Sequence, residues 1–239
     1  MTVARPERRE YTYPTDSTAR RSADETAIQH RGAGIYRPVC GVADLSCGKA
    51  QGDPAVGTLG RDSVLDVGCG TGLNFPLLLD AVGRSGQLLG VDISPDMLRT
   101  AQQKLGQPPP TNVHLVECDA THLNDLASKA VALLGRAPDG ILFTYSLSLM
   151  KPWQAAWEGA TALARPGTRI VIVDMALPTG RGRLLAPLAR LSCLAGGADI
   201  AAHPWTRLAA ECEDITHLSA RAGHVQIWAG RWTGSRSPA

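Results

Sequence analysis

Val64-Leu65-Asp66-Val67-Gly68-Cys69-Gly70-Thr71-Gly72-Leu73-Asn74 decides the fold, together with Asp92 twenty residues beyond Gly72. Val64 to Val67 is a short apolar run broken by one acid, the pattern of a parallel strand buried on both faces. The three glycines after it allow a sharp turn and let a ligand lie directly against the backbone. A helix is expected over residues 73–82, with Leu73, Leu77, Leu78 and Ala81 sharing a face and Pro76 tolerated in the first turn. Leu88-Leu89-Gly90-Val91-Asp92 then reads as a second strand ending in an acid. Strand, glycine loop, helix and acid-tipped strand form a βαβ unit whose carboxylate holds ribose hydroxyls, so a nucleoside-type cofactor is expected.

The glycine spacing narrows the cofactor. The glycines fall as G-x-G-x-G, with Asp66 two residues before the first. A diphosphate-binding loop uses G-x-G-x-x-G, the third glycine allowing close helix packing while the helix N-terminus faces the phosphates. Here Leu73 and Asn74 stand where that arrangement would continue. An acid beside the loop repels a diphosphate and suits a cationic ligand. S-adenosyl-L-methionine carries an ammonium, a carboxylate and a sulfonium but no phosphate, and it fits; a dinucleotide oxidoreductase is the rival reading, against which the spacing argues.

With these motifs the chain resembles the class I S-adenosylmethionine-dependent methyltransferases over about residues 60–230, in the family's order of elements. The resemblance implies an α/β, Rossmann-like, doubly wound and mostly parallel seven-stranded sheet with an antiparallel C-terminal hairpin. Val91 to Leu98 resembles the second-strand segment, which implies Asp92 on the ribose diol with Ile93 and Met97 beside the adenine. Ser94 also suits a helix N-cap, with Pro95 at the first helical position. Val116 to Thr121 resembles the third-strand segment, implying that Asp119 meets the adenine amino group and the Ala120 amide a ring nitrogen. Ile141 to Tyr145 reads as the fourth strand, whose end in the family faces the reacting methyl group, and Pro166-Gly167-Thr168 turns into a fifth strand, Arg169 to Asp174. The implied cofactor-binding set is Tyr36, Asp66, Gly68, Cys69, Gly70, Gly72, Asn74, Asp92, Ile93, Met97, Asp119, Ala120, Thr144 and Tyr145, with S-adenosyl-L-homocysteine as product.

The family resemblance divides the chain into an N-terminal extension, 1–59, that caps cofactor and substrate, and a methyltransferase domain, 60–239, with a lid insertion at about 175–213. Tyr36, in Gly34-Ile35-Tyr36-Arg37-Pro38, falls where related enzymes place a tyrosine near the methionine carboxylate; a packing tyrosine is the alternative. The end of the chain reads as the hairpin, with strands Ile215 to Ser219 and His224 to Ala229 and a turn around Ala222-Gly223.

Composition agrees with one enzyme domain: 239 residues at 44% hydrophobic content can bury a substantial core. The net charge of +2 and the sparse aromatic residues argue against a nucleic-acid partner. The charged start, Met1 to Glu10, has no apolar run behind it, and no window has the length of a spanning segment; a cytoplasmic protein with at most peripheral membrane contact is expected, its oligomeric state open. Six cysteines include no C-x-x-C pair, so reduced thiols and no metal site are expected. Cys40 and Cys47 read as small buried hydrophobes, with capture of a soft metalloid substrate as the alternative.

For the acceptor, Tyr145-Ser146-Leu147-Ser148-Leu149-Met150-Lys151-Pro152-Trp153 lacks the N-P-P-Y-like tetrapeptide of nucleobase and amide methyltransferases and resembles a small subgroup acting on lipid-headgroup amines. Alternatively Leu147, Leu149 and Met150 simply pack against a helix bearing Trp153, Ala156 and Trp157. Tyr145 and His203 are the candidate catalytic residues. An aromatic wall of Tyr36, Tyr145 and Trp205 would stabilise the growing ammonium of an amine acceptor by about 0.5–2 kcal/mol per ring, whereas an oxygen acceptor needs a base such as His203. His114 is expected to be structural. Leu184, Leu185, Leu188, Leu191 and Leu194, with Arg181, Arg183 and Arg190, make an amphipathic pattern expected to cover the sheet or a dimer contact, with a membrane surface as the alternative. Methyl transfer to a small molecule or lipid headgroup, amine nitrogen preferred, is therefore expected; O- or C-methylation of a soluble metabolite, or a non-catalytic cofactor-binding protein, remains open.

Overall fold

In a computed structural model, which describes residues 62–235, the glycine-loop unit lies at the centre of the sheet. Strand β1 (Ser63–Val67) is followed by helix α1 (Phe75–Val82), β2 (Gln87–Asp92), α2 (Pro95–Lys104), β3 (Val113–Glu117), α3 (Leu123–Leu134) and β4 (Gly140–Thr144). A short 3-10 turn (Leu147–Leu149), α4 (Trp153–Thr161) and β5 (Arg169–Met175) come next. A second 3-10 segment (Gly180–Leu185), α5 (Ala186–Ala195) and α6 (Trp205–Glu211) then lead to β6 (Cys212–Ala220) and β7 (Val225–Trp232).

The seven strands run β3-β2-β1-β4-β5-β7-β6. The first five are parallel, and β7 pairs antiparallel with both β5 and β6. In register, Leu65 sits between Leu89 and Ile141. Side chains alternate along each strand, so Leu65, Val67, Leu89, Ile141 and Phe143 join Trp157 in one core layer, and Val64, Leu88, Leu142 and Val171 join Phe75 and Leu78 in the other. Burial of both faces is why β1, β2 and β4 read as continuous apolar runs.

The doubly wound fold, the parallel core and the antiparallel terminal pair match the expectation; several boundaries do not. Helix α1 begins at Phe75 because residues 72–74 are still turning, and the delay rotates its buried face to Phe75, Leu78 and Val82, leaving Leu73 and Ala81 exposed. The hairpin strands are longer than expected, their turn taking positive φ at Arg221, Ala222 and Gly223. His114 lies within β3. Ser94 caps α2, its hydroxyl accepting from the Met97 amide, with Pro95 opening the helix.

At the amino ends of β1, β4 and β5, Asp139 accepts from the Ser63 amide at 2.9 Å and pairs with Arg136 and Arg165. Burial alone would raise its pKa, but Arg136, the Ser63 amide and Arg165 outweigh it and hold the carboxyl below the usual range. This clamp lies at the opposite end of the sheet from the glycine loop. Among the described residues, Cys69, Cys118, Cys193 and Cys212 are buried free thiols, and no helix is long and apolar enough to cross a membrane. Tyr36, Cys40, Cys47 and the whole 1–59 extension lie outside the described residues.

Candidate active site

The chain leaves β1 through Gly68, Gly70 and Gly72, at φ of +71°, +54° and +71°. The three positions differ in what surrounds them. A Cβ on Gly68 would come 2.5 Å from that of Ser146, and one on Gly72 2.6 Å from the Phe75 ring; one on Gly70 would meet nothing within 4 Å. Gly68 and Gly72 therefore serve packing, and Gly70 faces open space.

Four of the loop's amides have acceptors within the protein. Gly68 and Cys69 both donate to the Val91 carbonyl, at 2.8 and 2.9 Å, and Gly72 donates to the Cys69 carbonyl at 3.0 Å. The Gly70 amide donates to Asp92 Oδ2 at 2.8 Å. A diphosphate is held by free backbone N–H groups, and these four are taken. Those four are therefore not donors to a diphosphate.

Asp92 is half-buried, its Oδ1 accepting from the Ser94 amide at 2.9 Å. One carboxylate thus ties the glycine loop to the start of α2 and retains lone pairs for two hydroxyls. Beside it Ile93 is 65% and Met97 45% exposed, an apolar surface that a flat heterocycle would cover. At the end of β3, Asp119 Oδ1 accepts from the Thr121 amide and hydroxyl, and its Oδ2 lies 3.0 Å from His122 Nδ1. The Thr121 hydroxyl is the main influence holding Asp119 below the usual carboxylate range. Ala120, next to it, is buried.

Asp66 is fully buried behind the loop and does not line its open side. Desolvation raises its pKa to about 7, against a lowering hydrogen bond from Asn74, with Asp92 adding a smaller rise. Asn74 Nδ2 donates to Asp66 Oδ2 and to Thr144 Oγ1, each at 3.2 Å, linking β1, the loop and β4. The Cys69 side chain also packs inward, between the loop and Gly90, and burial pushes its thiol pKa up.

The expected fourth strand ends one residue early. Tyr145 takes φ of +52° while its amide still reaches the Val173 carbonyl at 2.7 Å. A left-handed non-glycine residue costs about 1–3 kcal/mol and is held only where its surroundings dictate it. Those surroundings are two serines the sequence reading passed over. Ser146 Oγ donates to the Val67 carbonyl at 2.8 Å, under Gly68; Ser148 donates its hydroxyl and amide to Asp174, at 2.6 and 3.0 Å. Asp174 is buried, and burial raises its pKa. An acid closing the apolar run Ile170-Val171-Ile172-Val173 is the signal that points to it. Leu147 and Met150 join the core with Trp153 and Trp157, as the packing alternative expected, whereas Leu149 is exposed.

The β5–β6 segment reaches the same end of the sheet through the Asp199 amide, which donates to the Ser148 carbonyl at 2.7 Å. Four residues on, His203 is exposed, at φ of +45°, its ring 5.1 Å from that of Trp205.

Sheet order, antiparallel terminal pair and glycine loop define the Rossmann-like methyltransferase fold. Residues 64–167 match the family described as methyltransferase domain. The chain is 30% identical over 117 residues to demethylmenaquinone methyltransferase of Shouchella clausii, spanning 49% of this chain and 46% of that protein. It is 25% identical over 169 residues to arsenite methyltransferase of Halobacterium salinarum, spanning 68% and 41%. In structure it is similar to an O-methyltransferase family protein from Burkholderia thailandensis, with a TM-score of 0.63 and 14% identity, covering 88% of this chain and 58% of that one. The chain thus spans less than half the length of these two sequence relatives.

Proposed function

We propose that this protein is an S-adenosylmethionine-dependent methyltransferase acting on a small molecule, with an amine nitrogen as acceptor. The observation that carries the cofactor is the glycine loop, closed on Asp92 with the amides of Gly68, Cys69, Gly70 and Gly72 bonded and, of its three glycines, only Gly70 facing open space. Asp92 would take the ribose hydroxyls, Ile93 and Met97 the faces of the adenine, and Asp119 with the Ala120 amide its edge. The Asp66–Asn74–Thr144 chain would set the polarity behind the methionine moiety. The methyltransferase domain match and the names of both sequence relatives support the same reaction class.

When bound, the cofactor supplies an electrophilic methyl carbon; the acceptor's lone pair forms the new bond as the carbon–sulfur bond breaks and its electron pair stays on sulfur. This chain's contribution is chiefly to hold the acceptor in line and exclude water. Tyr145, fixed at the end of β4, would place its ring beside the developing ammonium, with Trp205 and Tyr36 completing the wall. The β5–β6 segment, tied to Ser148 through Asp199, would act as the lid, and residues 1–59 as the cap. The two relatives' names give different acceptors, demethylmenaquinone and arsenite, so the amine preference rests on the aromatic groups and a lipid headgroup is one form of it.

The test is incubation with methyl-labelled S-adenosylmethionine in separate lipid and aqueous-metabolite extracts, with calorimetric titration of S-adenosylhomocysteine as binding control. Label on a nitrogen supports the proposal, and label on carbon or oxygen corrects the acceptor. Binding without transfer indicates a non-catalytic cofactor-binding protein, and no binding removes the cofactor.

A further inference from the structure

Helix α5 does not lay its leucines on the sheet, the first of the two placements expected for them. Its inward face carries small residues, Ala186, Ala189 and Cys193, the last with its sulfur 3.8 Å from that of Met175 at the carboxyl end of β5. The leucines point outward: Leu184 and Leu185, in the 3-10 segment before the helix, are 89% and 60% exposed, and Leu188, Leu191 and Leu194 on the helix 61%, 64% and 76%. A helix ordinarily turns such a stripe to the core, and contiguous exposed apolar surface on a protein marks an interaction site. Among the described residues nothing covers it.

Charge identifies the occupant. Between Asp174 and Asp199 the chain has three arginines, Arg181, Arg183 and Arg190, and no acid, more positive charge than the net +2 of the entire sequence. Arg183 and Arg190 are exposed. The β6–β7 turn lies against the same segment, with the Thr179 amide donating to the Ala222 carbonyl at 2.7 Å, and adds an exposed Arg221. Leucines framed by arginines on a short helix are the composition that settles in the interfacial plane of a bilayer, chains in the acyl boundary and guanidinium groups on phosphates. We infer that the 180–195 segment docks this protein reversibly onto an anionic phospholipid surface. The docking face lies at the carboxyl end of β5, next to the end of β4 through the Asp199–Ser148 bond. Taken with the proposed methyl transfer, on which this last step rests, the mouth of the site faces the bilayer and the acceptor is a lipid-borne molecule.

Docking itself needs neither cofactor nor transfer, so the full chain is sedimented with vesicles of phosphatidylcholine alone and of phosphatidylcholine with an equal amount of phosphatidylglycerol. Binding is expected to the anionic vesicles and to fall with salt. Arg183→Gln and Arg190→Gln each weaken it about fivefold, and the Leu188→Asp/Leu191→Asp variant weakens it about tenfold or more, with circular dichroism unchanged because these side chains are exposed. Absence of pelleting, or pelleting untouched by the leucine variant, overturns the inference. So does a wild-type dimer in sedimentation velocity that the leucine variant splits, which assigns the face to a second copy. Docking is read by sedimentation with neither cofactor nor acceptor present, and the proposed function by S-adenosylhomocysteine titration and labelled-methyl transfer on the wild-type chain, so the two proposals fail separately.

Discussion

The Asp92 carboxylate and the Gly70 amide lie 2.8 Å apart and close the glycine loop onto the end of the neighbouring strand. The second carboxylate oxygen holds the Ser94 amide at the start of α2. One side chain therefore shapes the loop and presents acceptors to the proposed cofactor.

Asp92→Ala removes both functions. A hydrogen bond to a charged group contributes about 1.5–3 kcal/mol, so affinity for S-adenosylhomocysteine is expected to fall about tenfold to a hundredfold in calorimetric titration. Unchanged affinity would show that the ligand does not use this carboxylate.

The glycines separate folding from binding. Ala at Gly68 is both left-handed and in collision with Ser146, so Gly68→Ala lowers the melting temperature markedly. Ala at Gly70 meets no atom and bears only the left-handed cost of about 1–2 kcal/mol, yet it projects into the space assigned to the cofactor. Gly70→Ala is expected to melt above Gly68→Ala while losing S-adenosylhomocysteine binding; retained binding would place the ligand on another side of the loop.

Asp66 predicts a pH dependence. Its folded pKa, raised to about 7 by desolvation, exceeds the value of 3.8 for an unperturbed side chain, so the folded state holds the proton more tightly. The group's contribution is fully present below about pH 4 and is lost as pH rises toward 7, at roughly 1.4 kcal/mol per pH unit at the steepest. Asp66→Asn keeps an acceptor for Asn74 without titrating. Its stability relative to wild type in urea denaturation should rise between pH 4 and pH 7; a constant difference across that range would mean that Asp66 does not titrate there.

Tyr145 and His203 discriminate the acceptor. For an amine, Tyr145→Phe keeps the ring and changes kcat little, Tyr145→Ala lowers it by a factor matching about 0.5–2 kcal/mol, and His203→Ala has a small effect. For an oxygen acceptor His203→Ala should cost about a hundredfold or more. Single-turnover rates of the three variants give the answer.

Much of the fold was legible because it is local. Val64 to Val67, the G-x-G-x-G loop and Asp92 specify a strand, a turn and an acid at spacings that few arrangements satisfy, and Ser94-Pro95 marks a helix start that the structure reproduces. The site was legible only in part. Ser146, Ser148 and Asp174 lie up to 79 residues from the groups they bind, and no spacing rule joins them.

By itself the sequence determined the β1–loop–β2 unit and its glycine turn, since both follow from backbone sterics and hydrophobic period over short stretches. Tertiary structure alone decided three matters. It placed Asp66 behind the loop, since depth in a sheet depends on which strands flank it. It spent the amides of Gly68, Cys69 and Gly70 on Val91 and Asp92, since those acceptors arrive only when β2 pairs with β1. It turned the leucines of α5 outward, since a period of 3.6 defines a stripe on a helix but not which side of that helix meets the protein.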